Sequence, residues 1–229
     1  MCGRFTMRQP GIEVARFHLT KAVAEERPRY NAAPGQSLLV IREVAGRREV
    51  AHLDWGLLPS WAAEPNAGAR PINARSETAA EKPTFRAALA ERRCLVPADG
   101  FFEWNKNKAS KTAYHVGVKP PHAFAFAGIW ERWSRPDRTI ESFAILTTAA
   151  NDLLNPIHDR MPVMLRPDDY DAWLDPTVSD PKQLTRFFEP YPADRMVLTP
   201  VGTWVNDVRH DEPRCLEPPA PQEETGSLF

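Results

Sequence analysis

The chain has 229 residues, of which 42 % are hydrophobic and 10 % aromatic; 26 % are charged and the formal net charge is −1. That supplies a sizeable core for one large domain or two small ones, and the near-neutral balance excludes a uniformly basic surface for coating nucleic acid. Residues 1–111 hold 18 Lys/Arg against 12 Asp/Glu, whereas residues 112–229 hold 11 against 18, so a polyanion site would draw on the first half, although two unrelated solvated surfaces would give the same asymmetry.

The 23 prolines outnumber the 11 glycines, which favours fixed turns over floppy linkers. Cys2, Cys94 and Cys215 are far apart and form no C-x-x-C, so neither a disulfide framework nor a zinc knuckle is expected, and a reducing cytoplasm fits. No basic stretch precedes an apolar run at the N-terminus and no eighteen apolar residues run together; neither a secretory signal nor a membrane span is expected.

Along the chain, "GIEVARFHLTKAVAEE" (11–26) has helical spacing. Strand-like runs follow at "SLLVIREV" (37–44) and "REVAHLDWGL" (48–57), then a helix at "PTFRAALAERR" (83–93). Further strands are predicted at "RCLVPADGFFEW" (93–104), "TAYHVGVK" (112–119), "AFAFAGIWERW" (123–133), "SFAILTT" (142–148) and "MPVMLRP" (161–167). Two more helices, "DDYDAWL" (168–174) and "PKQLTRFFEP" (181–190), precede a last strand-like run, "MVLTPVGTWV" (196–205). The elements do not alternate as βαβ units. They predict a single α+β domain over residues 1–215, a curled, mostly antiparallel and barrel-like sheet flanked by a few short helices, with a disordered tail over 216–229.

Five segments concentrate polar and aromatic residues beside these runs: "RYNAAPGQ" (29–36), "WGLLPSWA" (55–62), "PINARSET" (71–78), "DGFFEWNK" (99–106) and "NPIHDRMPVML" (155–165). All are turn-rich, which predicts placement at the rim of the sheet, where functional groups are commonly presented. The opening "MCGRF" adds a sixth. Once Met1 is removed, Cys2 carries a free α-amine and a thiol on neighbouring atoms, a pair no internal cysteine has. The bland alternative is an inert, disordered end.

With "MCGRF", "NARSE", "GFFEW" and "HDRMP" in this order, the chain resembles the SOS response-associated peptidase (SRAP) family from Cys2 to about Asn206. The resemblance implies a sensor of abasic sites in single-stranded DNA, in which Cys2 forms a covalent thiazolidine with the ring-opened deoxyribose. It implies single-stranded DNA as the partner, no membrane, no metal and no cofactor, and a location in the cytoplasm, with the nucleoid if bacterial; a monomer is expected. Lyase activity and removal of Met1 by the chain itself belong to the same reading.

The residues make chemical sense without the name. An aldehyde forms an imine with an amine, and a thiol on the adjacent carbon then closes a five-membered ring at the high effective molarity of an intramolecular reaction. Reference pKa values of about 8 for the amine and about 8.5 for the thiol leave workable nucleophile fractions at neutral pH.

Glu103 lies among Phe101, Phe102 and Trp104, surroundings that favour its protonated form and suit an acid/base, unless an arginine pairs with it. His158 titrates near neutrality and is a candidate proton shuttle; the other five histidines have no matching motif and read as structural. Asn73 offers a donor and an acceptor to position Cys2 and the sugar, or else caps a turn. Arg4, Arg75, Arg86 and Arg160 are candidate phosphate contacts, with solvated surface charge as the alternative. Trp61 and Trp104 offer faces for unstacked bases, with core packing as the alternative. No spacing of His, Cys or carboxylates suggests a metal site.

Two rival classes stay open. Class II glutamine amidotransferases also begin Met-Cys-Gly and use an N-terminal thiol, but they usually carry an aliphatic residue where this chain has Arg4; a thiol peptidase built from Cys2, Glu103 and His158 is the related idea. A noncatalytic single-strand-binding module, in which Cys2 is incidental, is the other.

Overall fold

The computed structural model describes residues 2–8, 16, 17, 19, 26–66, 68–105 and 112–221. Most of the helix expected over 11–26 and the last eight residues of the expected tail lie outside these. In chain order the strands are β1 (Phe5–Met7), β2 (Arg29–Ala32), β3 (Ser37–Val44), β4 (Arg47–Trp55), β5 (Asn73–Arg75), β6 (Arg93–Ala98) and β7 (Gly100–Trp104). Then come β8 (Ala113–Val118), β9 (Phe124–Arg135), β10 (Arg138–Ala149), β11 (Arg160–Pro162), β12 (Met164–Leu165) and β13 (Met196–Val201). The helices are short: α1 (Ser76–Ala79), α2 (Arg86–Glu91), α3 (Tyr170–Leu174) and α4 (Pro181–Leu184). The architecture is α+β as predicted, with antiparallel pairing almost throughout.

One sheet runs β13-β8-β7-β1-β2. In the other, β10 pairs with β4, β4 with β3, β3 with β6, β6 with β9, and β9 again with β10, so the sheet closes on itself. Closure removes the exposed edges that a sheet this apolar would otherwise present. Strand β10 organises the site-bearing segments. One edge pairs in parallel with β4 and then β5; the other pairs antiparallel with β9 and then β11.

Apart from β4, the ring strands are buried on both faces over most of their length, which is why they read as continuous apolar runs rather than alternating ones. Leu39, Ile41, Leu95, Ala127, Ile129, Ala144 and Leu146 enter a core shared with residues of α2, α3 and α4. Their neighbours Val40, Val96, Phe126, Phe143 and Ile145 enter a second core with Phe5, Trp55 and Phe101. The ring face toward the helices is aliphatic and the ring's aromatics face the five-stranded sheet, where Phe5 packs 5.3 Å from Trp55 and 5.9 Å from Phe126 between ring centroids.

The β1–β7 register decides where the N-terminus lies: Phe5 stands opposite Phe101 and Thr6 opposite Gly100. A buried polar cluster holds it. Thr6 Oγ1 donates to Asp99 Oδ1 at 2.6 Å and accepts from His115 Nε2 at 3.0 Å, and Asp99 also accepts from the Arg8 backbone N–H at 2.7 Å. A Cβ on Gly100 would fall 2.1 Å from His115 Nε2, so only glycine lets the imidazole reach across β7 to Thr6.

Candidate functional site

The segment before β1 joins the two sheets. On one side the Phe102 N–H donates to the Arg4 carbonyl at 3.0 Å. On the other, Asn73 Nδ2 donates to the Cys2 carbonyl at 2.8 Å. Asn73 is the first residue of β5, in register with Ile145 on β10, and α1 begins directly after this three-residue strand. Asn73 Oδ1 is buried and has no hydrogen-bond partner among the described residues, leaving an acceptor close to the Cys2 backbone.

Cys2 has no exposed surface, and its Sγ donates to the Arg4 carbonyl at 3.7 Å. Burial, reinforced by the neighbouring Glu103 carboxylate, pushes the thiol well above the ordinary cysteine range. At neutral pH the sulfur is therefore held as S–H. Glu103 is 3 % exposed on β7, opposite Tyr114, preceded in the sequence by the fully buried Phe101 and Phe102 and followed by the half-buried Trp104.

His158 ends the turn that leads into β11, its N–H donating to the Leu154 carbonyl at 2.9 Å. Its Nδ1 lies 3.0 Å from the Arg160 backbone N–H and 2.9 Å from Asp159 Oδ1. The two contacts are alternatives: a bare Nδ1 accepts from the Arg160 N–H, whereas an Nδ1 that carries a hydrogen, in the other neutral tautomer or in the protonated ring, donates to Asp159. Because β5 and β11 flank the same end of β10, with Thr147 in register with both Arg75 and Pro162, the Asn73 and His158 segments are neighbours across one strand.

The four arginines fare differently. Arg75 and Arg86 are exposed and have no ion-pair partner among the described residues. Arg160 is largely covered and grips both carboxylate oxygens of Glu77, at 2.5 and 2.9 Å, and the Thr147 carbonyl. Arg4 is half-buried, with Nη1 donating to Asn31 Oδ1 at 2.9 Å and to the Val205 carbonyl at 2.8 Å. The terminal guanidinium nitrogens of Arg4 and Arg160 are thus engaged within the protein, while the buried Arg160 Nε has no partner among the described residues, and a phosphate would have to share or displace those contacts.

Trp61 is 66 % exposed. Its loop leaves β4 through Gly56, whose φ of +135° few other residues adopt, and is tied down by Arg70 Nε to the Gly56 carbonyl at 2.8 Å and Trp133 Nε1 to the Ala62 carbonyl at 2.8 Å. A large aromatic face in water on an anchored loop is a ready stacking platform. Trp104 is half-buried; its Nε1 donates to Asn206 Oδ1 at 2.7 Å, and the Arg4 guanidinium lies 5.7 Å from its ring centroid.

Sequence reasoning missed the C-terminal clasp that makes this arrangement. Asn31 Nδ2 donates to the carbonyls of Val205, Asp207 and His210, and Asp211 accepts from the backbone N–H groups of Tyr30 and Asn31 and from Arg29 Nε. Residues 205–211 are thereby fastened to β2, and they hold Arg4 and Trp104 in turn. Asn31 stands in "RYNAAPGQ", but its partners lie more than 170 positions away and left no local signal.

No group of three or more His, Cys, Asp or Glu able to hold a metal occurs among the described residues. Cys2, Cys94 and Cys215 are all unpaired thiols. Among the described residues no helix is long and apolar enough to cross a membrane.

Set beside known proteins, the chain is 37 % identical over 222 residues to the abasic site processing protein YoqW of Bacillus subtilis, covering 95 % of this chain and 99 % of that one. It is 30 % identical over 230 residues to the abasic site processing protein YedK of Escherichia coli, covering 95 % and 100 %. An X-ray structure of a protein from Bacteroides thetaiotaomicron superposes with a TM-score of 0.84 at 28 % identity, over 95 % of this chain and 99 % of that one. Residues 1–208 match the SOS response associated peptidase (SRAP) family, and the chain belongs to that family.

Proposed function

We propose that the protein captures abasic sites in single-stranded DNA by forming a thiazolidine at Cys2 once Met1 has been removed. The observation that carries this reading is the Asn73 grip on the Cys2 carbonyl at 2.8 Å, which fixes the residue bearing both nucleophiles beside the Glu103 carboxylate. Its relatives' designation as abasic site processing proteins supports the substrate.

The ring-opened abasic deoxyribose presents an aldehyde. The Cys2 amine adds to its carbon and water leaves, giving an imine; the Cys2 thiol then adds to the same carbon while its proton passes to the nitrogen. The ring closes through sulfur, Cβ, Cα, nitrogen and the former aldehyde carbon, with a net loss of one water. A thiol held neutral by burial suits this order, since the amine acts first and the sulfur second. Glu103 and His158 are assigned the proton transfers, Asn73 the positioning, Arg75 and Arg86 the flanking phosphates, and Trp61 and Trp104 the unstacked bases. Arg4 and Arg160 act chiefly by orienting neighbours. The imine stage also admits strand cleavage by β-elimination, the lyase component of the reading.

Incubating the processed protein with a single strand bearing one abasic site, followed by a denaturing gel, tests the proposal. A shifted band that requires the lesion and is lost in Cys2→Ala is expected. Equal yield from Cys2→Ala, or from a strand without the lesion, overturns it.

A further inference from the structure

Beyond the site around Cys2, an apolar groove of about 520 Å³ opens between α1 and the segment 181–190. Ser76, Leu89 and Thr148 form its buried floor, half-buried Phe188 lines its wall, and the exposed Lys182 and Thr185 stand at its margin. We infer that this groove receives the nucleobase of a nucleotide flanking the lesion, a role that rests on the function proposed above.

The order of residues carries the inference. Asn73 holds Cys2, where the deoxyribose would react; Arg75, two residues on, points an unpaired guanidinium into solvent; Ser76, next in the chain, already lines the groove. Three residues span at most about 11 Å of backbone, so the groove begins within reach of the adjoining nucleotides. Sugar, phosphate and base occur along a strand in that same sequence. The lining suits a base: an apolar slot takes its faces, the Phe188 ring offers a stacking partner, and the hydroxyls of Ser76 and Thr185 and the Lys182 ammonium meet a polar edge and a nearby phosphate. Two carboxylates, Glu77 and Glu189, also line the groove; Glu77, two residues from Arg75, is neutralised by its pairing with Arg160.

The test uses single strands carrying one tetrahydrofuran abasic analogue, which binds without crosslinking. Each flanking nucleotide in turn is replaced by a second analogue, and Kd is measured at fixed salt for wild type, Phe188→Ala and Thr185→Trp. The second variant places a large ring over the groove from an exposed position, away from the core. One flanking position is expected where loss of the base weakens wild-type binding about fivefold or more, with the effect below about twofold in both variants. A flat profile, or the same profile in wild type and variants, overturns the inference and leaves the groove to some other occupant. A wild type that crosslinks an aldehyde-bearing strand yet gives a flat profile sinks the groove alone; one that neither crosslinks nor binds sinks the proposed function with it.

Discussion

Asn73 and Cys2 are 71 positions apart, yet one hydrogen bond of 2.8 Å between the Asn73 side-chain amide and the Cys2 carbonyl ties the segment before β1 to the ring sheet. Replacing Asn73 with Ala removes that grip and the unpartnered Oδ1 together. A neutral hydrogen bond contributes about 0.5–1.5 kcal/mol, so crosslinking should slow by about 3- to 10-fold with single-strand affinity nearly unchanged. A parallel loss of affinity, measured under identical salt, would reassign Asn73 to DNA binding.

Trp104 is aimed by Asn206, which accepts its Nε1–H at 2.7 Å. Asn206→Ala should weaken single-strand binding several-fold, because an untethered indole loses orientation before it can stack on a base. In a Trp104→Phe background, which has no Nε1–H to accept, the same substitution should have little further effect. Equal effects in both backgrounds would show that Asn206 acts by another route.

Trp61 presents a contrasting case, since 66 % of it is exposed and its loop is anchored through other residues. Trp61→Ala should therefore leave the melting temperature within about a degree of wild type while weakening binding about fivefold or more, the contribution of one stacked base. Unchanged affinity would make the exposed ring incidental.

The Thr6–Asp99–His115 cluster predicts a pH dependence of folding. Burial, and secondarily Arg8, lowers the His115 pKa from 6.5 to about 4. The unfolded chain thus binds more protons than the folded one between those values, so stability is full above about pH 6.5 and falls as the pH drops toward 4. Two and a half pH units correspond to as much as about 3 kcal/mol. His115→Gln keeps a donor for Thr6 and cannot titrate, so the drop in melting temperature between pH 6.5 and 4.5 should be smaller than in wild type. An identical drop would place the acid sensitivity elsewhere.

Much of the architecture is legible in the chain because most of the ring strands are apolar and buried on both faces, as "SLLVIREV" and "AFAFAGIWERW" show. The short strands are not. β1, β2 and β5 have three or four residues each, too few for any periodicity, and two of them lie in segments that read as turns, "RYNAAPGQ" and "PINARSET". They become strands because β1 and β10 offer them paired edges. The helix expected from "PTFRAALAERR" is confined to Arg86–Glu91, since residues 93–98 are drawn into the ring as β6.

The candidate site was legible where chemistry demands a particular residue type, as with Cys2, Asn73, Glu103 and His158. Arginine shows the limit of that reasoning. A guanidinium suits a carboxylate or a backbone carbonyl as well as a phosphate, and the partners of Arg160 and Arg4, Glu77 and the 205–206 turn, lie 83 and about 200 positions away. Nothing in "MCGRF" or "HDRMP" separates these two from Arg75, which remains in solvent.

The central claim is that Cys2 acts through its amine and its thiol together, and intact mass spectrometry tests it directly. Protein processed to begin at Cys2 and protein forced to retain Met1 are each incubated with a single strand containing one abasic site. The account predicts a stable adduct on the processed form, at the summed mass of protein and DNA less one water, and none on the form retaining Met1, whose Cys2 nitrogen is locked in a peptide bond. Equal adduct on both forms would mean that the thiol reacts alone, and the thiazolidine account would be wrong.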